Sequence, residues 1–423
     1  MKIRQMLRTL LKLLPIGIAS KVAITWVSIK EASRGNFWKQ YKIVKDLDFC
    51  NSIKFDKLKC EVNRHTVINS PHIILNDQKT KIMPPISSSQ PNLELITFFN
   101  VFVVGKSLAI HSNGFLYQPE LNVQDYRHDR KHWLFRYSYK NGVVGDNISC
   151  LFDSYDVLFI PEAIHLLSEH SHNYYHWLFE CLPRLIYFMR DCDELNLSND
   201  TVLLIDENLP KQCLEALMML LGNRFKITQL RSVQQVKCEV LHYVTPLWYA
   251  LDCTKYSPNV AKDFLVDKYA VTITRNALLN CHTSISPPYR KIYLARRASQ
   301  IRNIVNLVEV NELLSSFNFE LIYTDKMSFI EQVKLFSETK FVIGASGASF
   351  SNIVFMQPNT RALMFSPSII ATNYYLFQQL ADVANIDLIH FLTTPLAASK
   401  NIHDDFLIDC ETLSKVIFNL TND

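Results

Sequence analysis

Lys340-Phe341-Val342-Ile343-Gly344-Ala345-Ser346-Gly347-Ala348-Ser349-Phe350-Ser351-Asn352 is an apolar strand that runs directly into a turn of small residues, and this junction decides the fold. Two of the chain's nine glycines fall here. Small residues let a backbone approach a ligand closely, and free N–H groups at the start of a following helix can bind an anion. Working outward, the strand Lys291 to Ala295 leads to a helix over Val308 to Phe317, and the strand Glu320 to Tyr323 to a helix over Ser328 to Phe336. Beyond the turn come a strand at Ala362 to Phe365, a helix over Tyr374 to Val383 and a strand at Asp387 to Phe391, with a last helix near Glu411 to Leu420. Repeated βα units of this kind predict an α/β fold with a doubly wound parallel sheet of Rossmann type.

The same alternation begins earlier. Val157 to Ile160, Val202 to Ile205, Lys226 to Leu230 and Val236 to Val244 read as strands, with helices over Asn173 to Met189 and over Lys211 to Leu221, the latter ended by Gly222. Residues 31 to about 150 show short alternating runs and Pro- and Ser-rich punctuation, the pattern of strands and loops. The expected organisation is therefore a basic amphipathic segment over 1–30, an α/β domain over 31–275 and a Rossmann-like domain over 276–423, with Pro287-Pro288 near the boundary.

Composition sets limits on function. The 423 residues are 48% hydrophobic and 20% charged, the balance of a folded globular chain of about two domains. Lys plus Arg exceed Asp plus Glu by only four, which gives no footprint for nucleic acid. The ten cysteines are scattered and form no Cys-x-x-Cys pair, which argues against a zinc ribbon and for reduced thiols in the cytoplasm. The first thirty residues carry six Lys or Arg and no acid among many Leu and Ile. No uncharged stretch there is long enough to span a bilayer, so the segment reads as lying on the inner face of a membrane or as an ordinary surface helix.

The second informative stretch is Asn173-Tyr174-Tyr175-His176-Trp177-Leu178-Phe179-Glu180-Cys181-Leu182-Pro183-Arg184. Ideal helical spacing puts His176, Glu180 and Arg184 within an arc of about 80°, with Leu178, Cys181, Leu182 and Leu185 opposite them. Ser171 or Asn173 can cap the first turn, and Pro183 deprives the carbonyl of Phe179 of its helical partner, predicting a kink near Glu180. In the second half, Arg296, Arg297 and Arg302, with Asn306, follow the carboxyl end of a strand, the side on which open α/β sheets bind ligands. Guanidinium groups match phosphate through bidentate, charge-assisted hydrogen bonds.

These motifs together resemble glycosyltransferase family 61, which includes capsular polysaccharide enzymes of bacteria and xylan- and O-GlcNAc-forming enzymes of eukaryotes. Asn173 to Trp177 with Glu180, Pro183 and Arg184 resembles the family's Asn-x-x-His-Trp segment ending in Leu-Pro-Arg. Tyr293 to Arg297 with Arg302 and Asn306 resembles its arginine-bearing strand end, and Gly347-Ala348 with Asn352, Phe355 and Pro358 its Gly-Ala-x-x-x-Asn segment. The resemblance spans about residues 150 to 395. It implies a GT-B fold, a nucleotide-sugar donor, a glycan or lipid-linked glycan acceptor, and inversion at the anomeric carbon without an essential metal or other cofactor. The chain departs from the family pattern at Ser346, where many relatives carry His, and at Met364, Phe365 and Ser366, where many carry an acid.

On this reading His176 or Glu180 is the base that deprotonates the acceptor hydroxyl, the other orienting it, and Arg184 holds the acceptor or a carboxylate. Asn173 and Trp177 lie on the acceptor side. Arg296, Arg297, Arg302, Asn306, Ser346, Gly347, Ala348 and Asn352 hold the donor and stabilise its leaving diphosphate. Three other readings stay open. His176, Glu180 and Arg184 could pair as a buried structural network. His172, His176 and Glu180 have an i, i+4, i+8 spacing suited to a metallohydrolase, although the His-Glu-x-x-His pattern is absent. The chain could also be an inactive sugar-binding scaffold of a polysaccharide-assembly complex.

Overall fold

The computed structural model describes residues 37–44, 47, 51–75, 79–122, 134–140, 143–152, 156–248, 267–281, 286–296, 302–369, 372–396 and 404–422. The amphipathic segment 1–30 and Arg297 lie outside these residues. Among the described residues, eleven strands form one sheet and eight a second, with helices between them, a mixed α/β architecture.

The first sheet combines a largely antiparallel region, built by strands between Phe37 and Phe152 with one parallel pair (Phe37–Val44 beside Phe115–Tyr117), with a parallel one. The long strand β1 (Leu93–Val104) pairs antiparallel with the last strand of the parallel region, so it joins the two. That region is β2 (Val157–His165), β3 (Val202–Asp206), β4 (Lys226–Leu230) and β5 (Gln235–Val244), in the spatial order β5-β2-β3-β4. Between β2 and β3 the chain runs through α1 (Tyr174–His176), a π turn (Trp177–Cys181) and α2 (Leu182–Asp191). Next, α3 (Lys211–Leu221) ends at Gly222, whose φ of 55° favours glycine at that position.

The helix α4 (Lys268–Asn280) fills the region where the sequence places a domain boundary. Its β-branched Val271, Thr272, Ile273 and Thr274 disguise it as an irregular stretch. What makes it a helix is the Asp267 cap, whose carboxylate accepts from the Tyr269 N–H at 2.9 Å, together with burial of Ala270, Val271 and Leu278.

The second sheet matches the predicted βα series closely. Its parallel strands are β6 (Arg290–Leu294), β7 (Glu320–Ile322), β8 (Thr339–Ala345), β9 (Arg361–Pro367) and β10 (Asp387–Pro395), ordered β7-β6-β8-β9-β10. The crossovers carry α5 (Leu307–Ser316), α6 (Phe329–Ser337) and α7 (Tyr375–Ala384), and α8 (Cys410–Asn422) closes the chain. In α6, Ser328 and Glu331 form a reciprocal capping box, the local signal that starts the helix where the sequence indicates. The last helix packs against α5 and buries Leu413 and Ile417 in the core of this sheet.

Counted in chain order, these five strands lie 2-1-3-4-5. The order reverses between β6 and β8, so the carboxyl ends of these two strands flank a switch point where α/β sheets bind ligands.

Sheet membership does not respect the expected boundary near 275. The strand His72–Ile74 pairs in parallel with β10, and Thr80–Ile82 extends the same sheet, although both belong to the first hundred residues. One apolar core also joins the halves: Leu203 and Ile205 of β3, Leu182 and Leu185 of α2, Val342 of β8 and Leu380 of α7 belong to it. All described cysteines are free thiols. No helix among the described residues is long and apolar enough to cross a membrane.

Candidate active site

His176 and Glu180 meet as the spacing predicts. The imidazole Nδ1 lies 2.6 Å from Glu180 Oε1, with the histidine side chain 21% exposed and the carboxylate 11%. A short contact of this kind fixes the ring's tautomer: Nδ1–H donates to the carboxylate and Nε2 is left as the basic atom. Asn173 caps the turn, its side-chain oxygen accepting from the Tyr175 N–H at 3.0 Å. His170 lies against His176 with ring centroids 4.8 Å apart.

Arg184 departs from the predicted stripe. The π turn Trp177–Cys181, closed by the Leu182 N–H donating to the Trp177 carbonyl, is one residue wider than an α turn and moves α2 off the register of His176 and Glu180. Only 2% exposed, Arg184 donates to the carbonyls of Val244 (2.9 Å), Leu167 (3.2 Å) and His165 (3.1 Å) and to His165 Nδ1 (2.9 Å). Those acceptors sit at or just past the carboxyl ends of β2 and β5. The arginine therefore braces the sheet and offers nothing to an acceptor, and it also takes no part in a network with His176 and Glu180. His165 is held well below the usual imidazole range by burial, then by the adjacent guanidinium. Replacing Arg184 with Met should strand these carbonyls and cost about 3 kcal/mol, read as a lower midpoint in chemical denaturation; an unchanged midpoint contradicts the bracing role.

Trp177 is equally internal. It is fully buried and its indole N–H donates to the Cys213 carbonyl at 3.0 Å, so it anchors the helix rather than an acceptor. The carbonyl of Phe179, freed by Pro183, is taken by the Trp248 indole N–H at 2.5 Å. The helix widens at this point into the π turn.

At the switch point of the second sheet, the Arg296 guanidinium lies over the backbone of Gly347, with Nη1 3.7 Å from the position a β-carbon would occupy there. Among the described residues that buried nitrogen has no hydrogen-bond partner. Arg302 donates from Nη1 to the Ser346 carbonyl at 3.3 Å and holds a left-handed backbone with φ of 58°. Burial lowers the pKa of both arginines, and Arg302 is lowered further by the charge of Arg296. Two mutually repelling, half-buried guanidinium groups around a glycine turn form a cradle for an anion.

Two other expected donor ligands serve the scaffold instead. Asn306 accepts from the Ile408 N–H (3.1 Å) and donates to the Ile408 carbonyl (2.8 Å), clamping the segment before α8. Asn352 is fully buried; its amide donates to Gln332 Oε1 (2.8 Å) and its oxygen accepts from the Tyr174 hydroxyl (2.7 Å). Asn352 lies on the 3-10 helix Ala348–Phe355 that starts directly after Gly347, and Ala348 packs partly buried against the shared core. The Tyr174–Asn352 bond thus ties the turn bearing His176 to the helix next to the arginine cradle. Gln379 adds a second tie, donating to the Tyr175 hydroxyl at 2.7 Å.

Lys106 and Asp206 escaped the sequence reading. Asp206 is fully buried at the end of β3 and accepts from the backbone N–H groups of Lys106 (2.6 Å) and Ser168 (2.9 Å), while Lys106 Nζ donates to Ser171 Oγ at 2.9 Å. The available signals were a carboxylate closing an apolar strand and a Gly-Lys pair after β1. His172, His176 and Glu180 do not assemble as a metal site: His176 spends Nδ1 on Glu180, and the described residues contain no suitable group of three His, Cys, Asp or Glu side chains.

The family described as Glycosyltransferase 61 matches residues 174–363, a span that runs from the turn of His176 through the arginine cradle into β9. The chain carries a glycosyltransferase family 61 domain over residues 174–363. It is accordingly a transferase enzyme acting on a sugar donor and a glycan acceptor in general. No curated protein matches it.

Proposed function

We propose that this family 61 enzyme is an inverting glycosyltransferase of GT-B type, moving a hexosyl or pentosyl unit from a nucleotide-sugar donor to a hydroxyl of a glycan or lipid-linked glycan. His176 Nε2 removes the proton of the acceptor hydroxyl as its oxygen attacks the anomeric carbon. Glu180 holds the ring through Nδ1–H and stabilises the imidazolium that forms. On the opposite side of the anomeric carbon, Arg296 and Arg302 neutralise the diphosphate as it departs, and Gly347 leaves room for it to approach the backbone.

The observation that carries this reading is the Tyr174–Asn352 bond, because it connects an oriented imidazole to a cradle of guanidinium groups at a sheet switch point. No metal is required in this scheme, since the arginines supply the positive charge that a divalent ion would otherwise bring to the diphosphate. The family's capsular members motivate a role in surface polysaccharide assembly, and the basic first thirty residues a peripheral place on the inner face of the membrane. The test is transfer and hydrolysis across a panel of nucleotide sugars with purified protein. Turnover of at least one is expected, and none would refute the reading.

A further inference from the structure

The turn after β1 brings a cation to the loop that leads into the helix of the proposed base. Gly105 is packed so closely against the Arg231 backbone that no β-carbon fits, and Lys106 holds a left-handed conformation with φ of 65°, fixed by the bond from its N–H to buried Asp206. A lysine rarely adopts this conformation without a compensating gain. Its half-buried ammonium reaches Ser171 Oγ at 2.9 Å, next to exposed His172 and one residue from His170, whose ring lies against His176. Although its side chain reaches solvent, His172 is held below the usual imidazole range by partial desolvation, then by the positive neighbours Lys106, His170 and His176. Arg184, the cation expected to hold an acceptor carboxylate, is sealed in the sheet.

We infer that Lys106 and His172 form an anion subsite on the acceptor side, so that the preferred acceptor carries a carboxylate or phosphate close to the hydroxyl that receives the sugar. This rests on the assignment of His176 as the acceptor's base. Lys106 supplies the charge, and His172, whose neutral-form ring N–H is taken by the Glu169 carbonyl, donates from its second nitrogen when the anion's charge draws a proton onto the ring, while Asp206, which also feels the charge of Lys106, fixes the turn from below.

The test compares full-length wild type, Lys106→Asn and His172→Gln by calorimetric titration with three probes: a glucuronate-terminated oligosaccharide, its carboxyl-reduced counterpart, and a polyprenyl phosphate in neutral micelles against empty micelles. Asparagine tolerates the left-handed conformation, so the first variant removes the charge without straining the turn. Wild type should bind one of the two anionic probes at least about tenfold more tightly than its neutral control, and that ratio should fall to about one in Lys106→Asn and shrink in His172→Gln. Preference for glucuronate identifies a uronic-acid acceptor and preference for the polyprenyl phosphate a lipid-linked one. Equal binding of charged and neutral probes by wild type, or a ratio that survives Lys106→Asn, overturns the inference. Nucleoside diphosphate titrated into the same samples reports on the donor cradle, so its failure to bind would fault the transferase reading separately.

Discussion

Replacing His176 with Ala is expected to reduce kcat about 10³-fold while leaving donor affinity close to that of wild type. The imidazole is the only group of the Asn173–Glu180 turn that presents a basic nitrogen with its tautomer set by a 2.6 Å contact to a carboxylate. Removing it takes away proton acceptance in the transition state and leaves the arginine cradle untouched. Added imidazole should restore part of the lost rate, which a purely structural histidine would not allow. Glu180→Gln should cost less, about 10²-fold, because the ring loses the carboxylate that orients it and stabilises the imidazolium formed in the transition state. Rates within a few fold of wild type for both variants would show that the pair only packs the helix.

The second large effect lies at the cradle. Arg296→Ala should weaken nucleoside diphosphate binding and lower turnover by about 10² to 10³-fold in combination, the loss expected when a preorganised charge is removed from a developing anion. Lysine at this position should not restore function, since a point charge lacks the planar fork that meets two phosphate oxygens. Stability should move in the opposite direction. Arg296 has a buried nitrogen without a partner among the described residues and sits beside the like charge of Arg302, so the empty variant should melt no lower than wild type. A nucleoside diphosphate at about 100 times its Kd should stabilise wild type by about 2.7 kcal/mol and the variant by far less. Equal ligand stabilisation of the two proteins would remove Arg296 from the donor site.

The contrast between these residues and Arg184 shows where sequence was sufficient. Strand and helix positions in the parallel regions were legible because apolar periodicity and local punctuation, such as the Ser328 box and Gly222, agree with the tertiary structure. The His176–Glu180 pair was legible because i, i+4 spacing survives the start of the π turn. Arg184 was not, since the wider turn breaks the 3.6-residue arithmetic that placed it on the same stripe. Asn306, Asn352 and Trp177 look like ligand contacts in a motif, yet each spends its polar atoms on the protein's own backbone or side chains. Which use a polar side chain finds depends on distant partners. The same non-locality hid the strand His72–Ile74, which pairs with β10 far along the chain, and the helix Lys268–Asn280, whose local propensity is overridden by burial.

The most direct test of the central claim is the anomeric configuration of the transferred sugar, read by proton NMR of product formed early in the reaction from a donor of defined anomer. A single displacement, with His176 activating the acceptor and the arginines holding the diphosphate opposite, predicts complete inversion. Retained configuration would require an enzyme-bound or internally returned glycosyl intermediate and would contradict the account.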